Sequence, residues 1–212
     1  MFVKVCGLRT SADVDAAVSS GADAVGFVFA ASPRQVDPAT AGALVAVAGA
    51  TLTVGVFLGQ PVDEVRAIAE ATGLGAVQLH GAYPKDAFTA LADPRWQLIR
   101  AVPYSAPDLR VGAYGDDLLI VDAPKAGSGE SWDYASVAGL DGQWLLAGGL
   151  TPASVASAAA TARARGVDVS SGVESSRGVK DHALIADFVA AARAAAVLSS
   201  GRQPPGTASK PT

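Results

Sequence analysis

The chain has 212 residues, half of them apolar and 17% charged, with a formal net charge of −4. That is enough apolar material for a large buried core, and it excludes wholesale disorder. Sixteen lysines and arginines form no basic run, so neither nucleic acid nor an anionic membrane is an expected partner, and the lone cysteine rules out an intrachain disulfide.

A reducing, cytoplasmic setting fits that cysteine content. No apolar stretch reaches the roughly 18 residues of a membrane-spanning helix. The segment Met1–Leu8 lacks the basic start and cleavage site of a signal peptide.

Short apolar runs alternate with amphipathic ones along the chain. Strands are predicted at Phe2–Cys6, Ala24–Phe29, Thr51–Phe57, Ala76–Leu79, Trp96–Val102, Asp117–Val121, Trp144–Ala147 and Val167–Ser170. Continuous apolar runs of this length suit parallel strands covered on both faces. Ser11 is placed to cap the first helix and Gly21 to end it. Asp37-Pro38 and Thr151-Pro152 each put a capping residue before a proline at the first helical position. Val62, Val65, Ile68 and Ala69 share a helical face, as do Leu184, Ile185, Phe188 and Val189. Ser105–Gly112 is a weaker helix candidate.

Eight strands, each followed by a helix, in about 200 residues predict a single-domain (β/α)8 TIM barrel over residues 1–198. The rival is an open doubly wound sheet, but no G-x-G-x-x-G follows the first strand. Residues 199–212 are rich in Gly, Pro, Ser and Thr and are expected to form a disordered tail.

In a (β/α)8 barrel the active site lies at the C-terminal ends of the strands. There the predicted strands present Cys6, Arg34 after the second, Gln78 and His80 at the fourth, Asp122 at the sixth, Gly148 and Gly149 at the seventh, and Ser170, Ser171 and Gly172 at the eighth. Taken singly, the glycines need only make turns. Together, after strands seven and eight, they offer backbone N–H groups to a phosphate. A thiol and a carboxylate facing one pocket could serve as base and acid, although a lone cysteine is most often a small buried hydrophobe. Arg34 could clamp a carboxylate, and Gln78 and His80 could orient a substrate or only bond within the rim. His182 is expected to be structural. One cysteine and two histidines at unrelated positions give no metal-ligand spacing, so no metal is expected.

These residues carry a resemblance. Lys4-Val5-Cys6-Gly7-Leu8, Gly21 to Phe27, Ser32-Pro33-Arg34, Val77 to Gly81, Asp122 with Gly127-Ser128-Gly129, Gly148-Gly149-Leu150 and Asp168 to Glu174 followed by Gly178-Val179-Lys180-Asp181 are similar to the motifs of the phosphoribosylanthranilate isomerase family over roughly residues 2–196. The resemblance implies a cofactor-free barrel that performs an Amadori rearrangement of N-(5-phosphoribosyl)anthranilate in tryptophan biosynthesis. It implies Asp122 as general acid, Cys6 as general base and Arg34 as the grip on the anthranilate carboxylate. It also implies backbone around Gly149 and Ser171 as the phosphate site, with Asp168 a further rim residue toward the substrate. A small-molecule substrate and a monomer or homodimer follow. The sequence departs from the family pattern at Ala126, where glycine is common, and at Arg9, which adds a cation near Cys6. The related sugar isomerase of histidine biosynthesis has aspartate where Cys6 stands. A catalytically silent phosphate-binding barrel would need none of Cys6, Arg34 and Asp122.

Overall fold

The computed structural model describes residues 1–124 and 131–200. The expected tail, apart from its first two residues, and the Ala126 to Gly129 segment lie outside the described residues. Eight parallel strands close into a barrel in sequence order. They are β1 (Phe2–Cys6), β2 (Ala24–Val28), β3 (Leu52–Phe57), β4 (Ala76–His80), β5 (Gln97–Pro103), β6 (Leu118–Asp122), β7 (Trp144–Leu146) and β8 (Gly166–Val169). Closure pairs β1 with β8 and sets Lys4 beside Asp168. Each strand falls within about two residues of its predicted limits, because apolar runs of this kind have no other way to bury both faces.

Period-two alternation divides the core in two. Val54, Val56, Ala76, Ile99, Ala101, Ile120, Leu145 and Ala147 fill the barrel interior. Val3, Val5, Val25, Phe27, Phe57, Val77, Leu79 and Leu119 face outward into a larger core shared with the helices.

Those helices are α1 (Ser11–Ser19), α2 (Pro38–Ala48), α3 (Val62–Thr72), α4 (Lys85–Leu91), α5 (Val155–Ala162) and α6 (His182–Ser200). Four expectations need correction. Thr10, not Ser11, caps α1. Its hydroxyl accepts from the Asp13 N–H, and the Asp13 carboxylate accepts from the Thr10 N–H, a reciprocal box worth more than one cap bond. Thr151 does not start a helix at Pro152. It exchanges hydrogen bonds with Ser154 in a preceding turn, and α5 begins at Val155. Asp37, as expected, caps α2 with Pro38 in the first turn.

The third correction has the clearest cause. Ser105–Gly112 is not helical. Arg100 points outward from β5 and is 3% exposed. Its Nε donates to Asp116 Oδ1 at 3.1 Å, Nη1 to the Asp108 carbonyl at 2.8 Å and Nη2 to the Arg110 carbonyl at 2.7 Å. The guanidinium also lies 4.7 Å from the centre of the Tyr114 ring. A helix would turn those two carbonyls along its own axis, away from the guanidinium, and leave a buried cation short of acceptors. The loop therefore wraps the arginine. Beyond β6, among the described residues, a 3-10 turn at Tyr134–Val137 stands where a helix was expected. After β8, a short hairpin of β9 (Glu174–Ser176) and β10 (Val179–Lys180) precedes α6.

Replacing Arg100 with leucine leaves the buried Asp116 carboxylate with only the Gly112 and Tyr114 N–H groups and no countercharge, and strands both carbonyls. Arg100→Leu should destabilise the fold by about 3–5 kcal/mol, read by urea denaturation. A loss under about 1 kcal/mol would show that the loop holds its shape without the guanidinium.

Candidate active site

Because alternate residues of a strand point the same way, the inward-facing series on β1 is Phe2, Lys4 and Cys6. On β4 it is Ala76, Gln78 and His80. The interior is apolar through its middle and turns polar only toward the C-terminal rim. Asp122 ends β6 there, and Asp168 lies on β8.

Lys4 is wholly buried, and its Nζ donates to Asp168 Oδ1 at 2.9 Å. Burial opposes its charge, but Asp168 foremost, with the Cys6 sulfur as a second source of negative charge, outweighs this and holds the ammonium above its ordinary range. Cys6 is a free, buried thiol. Burial pushes it up and nearby Asp168 adds to the rise, while Lys4 and Lys180 pull it down. A side chain added at Gly26 of β2 would meet the Cys6 sulfur at 2.8 Å, so the sulfur is packed closely against that strand.

Asp122 Oδ1 accepts from the N–H of Ala123 at 2.7 Å. Burial nevertheless pushes its carboxyl up to about 6, with Asp168 contributing in the same direction. His80 is pulled down by burial, with Asp168 opposing and Lys4 reinforcing. Gln78 is 2% exposed, and its Oε1 has no partner among the described residues. A buried carbonyl oxygen left open at a rim is an available acceptor.

Arg34 is not free at the rim. Its Nε and Nη2 form a two-pronged pair with Glu174 at 2.6 and 3.0 Å. Glu174 also accepts from Lys180 Nζ at 2.9 Å and from the Gly178 N–H at 3.0 Å. Despite burial, these donors, Arg34 foremost, bring its carboxyl down to about 2. Lys180 Nζ reaches on to the Ser170 carbonyl at 2.7 Å and its hydroxyl at 3.3 Å. The hairpin thus ties the turn after β8 to the loop after β2.

The glycine turns come together as expected. Gly148 and Gly149 adopt φ of 83° and 68°, a region L side chains rarely enter. A Cβ at Gly172 would lie 1.7 Å from the Leu150 carbonyl oxygen, so the turns after β7 and β8 are in contact. Ser171–Val173 form one 3-10 turn. Among the described residues, the N–H groups of Gly148, Gly149, Ser171 and Gly172 donate to no protein acceptor.

Several functional neighbours escaped the sequence reading. Lys4 was legible, since it shares a face with Cys6 two residues on. Glu174 and Lys180 stood within recognised motifs, but only the hairpin shows that they meet Arg34. An aromatic wall at the rim carried no signal. Trp132 stacks on Tyr104 at 4.7 Å and donates to the Ala147 carbonyl, and the Tyr134 hydroxyl donates to the Gly148 carbonyl at 2.8 Å. On the other side, a cavity of about 750 Å³ lies among Leu58, His80, Tyr83, Pro103, Tyr114 and Ala123. His182 bonds Asp13 at 3.0 Å, far along the chain from these groups. Among the described residues no cluster of His, Cys, Asp and Glu could hold a metal ion, and no helix is long and apolar enough to cross a membrane.

A family model described as N-(5'-phosphoribosyl)anthranilate isomerase matches residues 3–191. The N-(5'-phosphoribosyl)anthranilate isomerase of Symbiobacterium thermophilum is 41% identical over 92% of this chain and 100% of its own. The crystal structure of TrpF from Jonesia denitrificans superposes with a TM-score of 0.84, at 49% identity over 92% of this chain and 98% of that one. A phosphoribosyl anthranilate isomerase in complex with reduced 1-(o-carboxyphenylamino)-1-deoxyribulose 5-phosphate superposes with a TM-score of 0.78, at 32% identity over 92% and 99%.

A Cβ at Gly148 would press within 2.7 Å of the Ala123 nitrogen and 2.8 Å of Asp122 Oδ1. Gly148→Ala should displace the carboxylate and lower kcat/KM by about 100-fold while the fold survives. Near-normal turnover would show that Asp122 does not depend on this contact.

Proposed function

The chain belongs to the N-(5'-phosphoribosyl)anthranilate isomerase family, and we propose that Cys6 and Asp122 carry its reaction as general base and general acid. The activity is the rearrangement of N-(5-phosphoribosyl)anthranilate to 1-(2-carboxyphenylamino)-1-deoxyribulose 5-phosphate, a step of tryptophan biosynthesis. The observation that carries the residue assignment is a pair of titratable groups on β1 and β6 of one rim, with the Asp122 carboxyl raised to about 6. A buried acid that still holds its proton near neutrality suits protonation of a leaving oxygen.

Asp122 gives its proton to the furanose ring oxygen as the C1–O bond breaks. The anilino nitrogen lone pair forms the C1=N bond of a Schiff base. The Cys6 thiolate then takes the proton from C2, and the C–H electrons become the C1=C2 bond of an enolamine. Loss of the O2 proton and protonation of C1 give the ketone. Only protons and electron pairs within the substrate move, so the chemistry calls for no external oxidant or cofactor.

The substrate's ends fit the remaining groups. The open N–H groups of Gly148, Gly149, Ser171 and Gly172, with the Ser170 hydroxyl, suit the phosphate. Arg34 suits the anthranilate carboxylate through Nη1, because Glu174 already occupies Nε and Nη2. Gln78, through its unpartnered oxygen, and His80 would orient the sugar. Asp168 is committed to Lys4 through Oδ1, so any contact with substrate falls to its other oxygen. Residues 1–198 act as one catalytic domain, with no part in chemistry for the segment beyond. A reducing cytoplasm suits the single free thiol. A monomer or homodimer is the expected assembly, and one related structure is of monomers generated from the dimeric Thermotoga maritima enzyme.

Substrate generated in place from anthranilate and phosphoribosyl pyrophosphate can be followed by its fluorescence decay. Cys6→Ala and Asp122→Asn should each lower turnover roughly 100- to 10,000-fold, and near-normal rates in either would discard that assignment. The pH profile gives a second check. Asp122 titrates near 6 and the Cys6 thiol above its ordinary value, so the working form, acid plus thiolate, is the minor arrangement of a singly protonated pair. Below about 6 both groups are protonated and the thiolate is lost. Above the thiol value both are ionised and the acid is lost. A bell-shaped kcat/KM with its acidic limb near 6 is expected, and a limb near 4 would remove Asp122 from it.

A further inference from the structure

Lys4 has no task in the mechanism above, yet it is the most deeply enclosed charge at the site. Lysine is almost never fully buried unless paired, and the fold supplies one carboxylate for it, Asp168 at 2.9 Å. The pair lies inside the barrel. Lys4 is two residues before Cys6 on the same inward face of β1, and Asp168 is its lateral neighbour on β8. The Lys4 charge acts on the Cys6 sulfur from two residues away on the same strand face, pulling the thiol down.

Among the described residues, the other cations that act on Cys6 are already engaged. Lys180 approaches from the hairpin, held by Glu174 and Ser170. Arg34 approaches from the loop after β2, held by Glu174. From β4 and β6, His80 and Asp122 face the Lys4–Asp168 pair. On the β2 side Gly26 closes against the sulfur, so no solvent shell fits between them. A thiolate formed here must be balanced by protein, and among the described residues Lys4 is the nearest cation along the strand, on the inward face that Cys6 shares.

We propose that Lys4 is a positioning residue for the reaction, the buried counterion against which the Cys6 thiolate forms, with Asp168 aiming its ammonium. This rests on Cys6 being the base. It gives the two charges of the buried pair opposite effects on the thiol. The lysine draws the proton off the sulfur, and the aspartate, a neighbouring anion, holds it on.

Cys6 is the only cysteine in the chain, so protein labelled with 13Cβ-cysteine gives a single resonance whose shift titrates with the thiol. In Lys4→Met the midpoint should rise by about one pH unit or more, a tenfold loss of thiolate at fixed pH. In Asp168→Asn it should fall. The double variant Lys4→Met/Asp168→Asn removes the unpaired buried charge and should still titrate above the parent protein. The alkaline limb of the kcat/KM profile should move up in parallel in Lys4→Met. An unmoved or lowered midpoint in Lys4→Met, or shifts of the same sign in both single variants, would overturn the counterion role. So would loss of the folded barrel in both Lys4→Met and the double variant, which would make the pair purely structural. The base assignment fails separately. Turnover surviving in Cys6→Ala would remove the base and leave the midpoint shifts intact.

Discussion

An ion pair sealed inside the barrel sets the terms for everything above it. Lys4 and Asp168 face each other across β1 and β8, the seam at which the sheet closes on itself. Removing one partner from such a pair leaves a buried charge and costs several kcal/mol, whereas replacing both by apolar residues is often tolerated. Stability alone therefore does not explain why charge stands here. Its position does. The pair lies in the inward-facing series that ends in Cys6, and its field reaches His80 and Asp122 across the interior. It makes a polar layer between an apolar plug of Val54, Ile99, Ile120 and their neighbours and the open rim.

A second set of charges lies outside the strands. Arg34, Glu174 and Lys180 form a chain that begins in the loop after β2 and ends on Ser170. Here a carboxylate is shared by two cations, unlike the arrangement inside the barrel, where Lys4 and Asp168 pair one to one. Glu174 consequently stays ionised far into acid, while Asp122, with one backbone donor and a buried carboxyl, holds its proton far more readily. Two carboxylates at one rim are thus assigned opposite states by their donors and their burial.

Much of this was legible in the chain. Runs such as Leu118 to Val121 have only one way to bury both faces, so the strands and the barrel could be read directly. Cys6, Asp122 and the two glycine turns followed from the rule that such barrels work at their C-terminal ends. What could not be read were pairings between residues distant in sequence. Arg34 looked like an open carboxylate clamp, because nothing near it in sequence announces that Glu174, 140 residues on, occupies two of its five N–H donors. The helix expected over Ser105–Gly112 failed for a similar reason. Its local propensity was overridden by Arg100, a residue on the preceding strand that needed two loop carbonyls. Thr10 displaced Ser11 as the cap only through a reciprocal bond to Asp13.

The ladder between β7 and β8 joins only Leu145 to Gly166 and Leu146 to Val167, fewer partners than at any other seam of the barrel. Just beyond it, Gly172 lies against the Leu150 carbonyl oxygen, and four open N–H groups from both turns gather. An anion seated there would bond to both sides of the least-stitched joint. The phosphate would then act as a rivet as well as a handle, and substrate at 100 times its Kd would add about 2.7 kcal/mol to the folded state. In a cell rich in substrate, the barrel would be hardest to prise open while it has work to do. When the substrate runs out, this joint would be the first place for quality-control proteases to find slack.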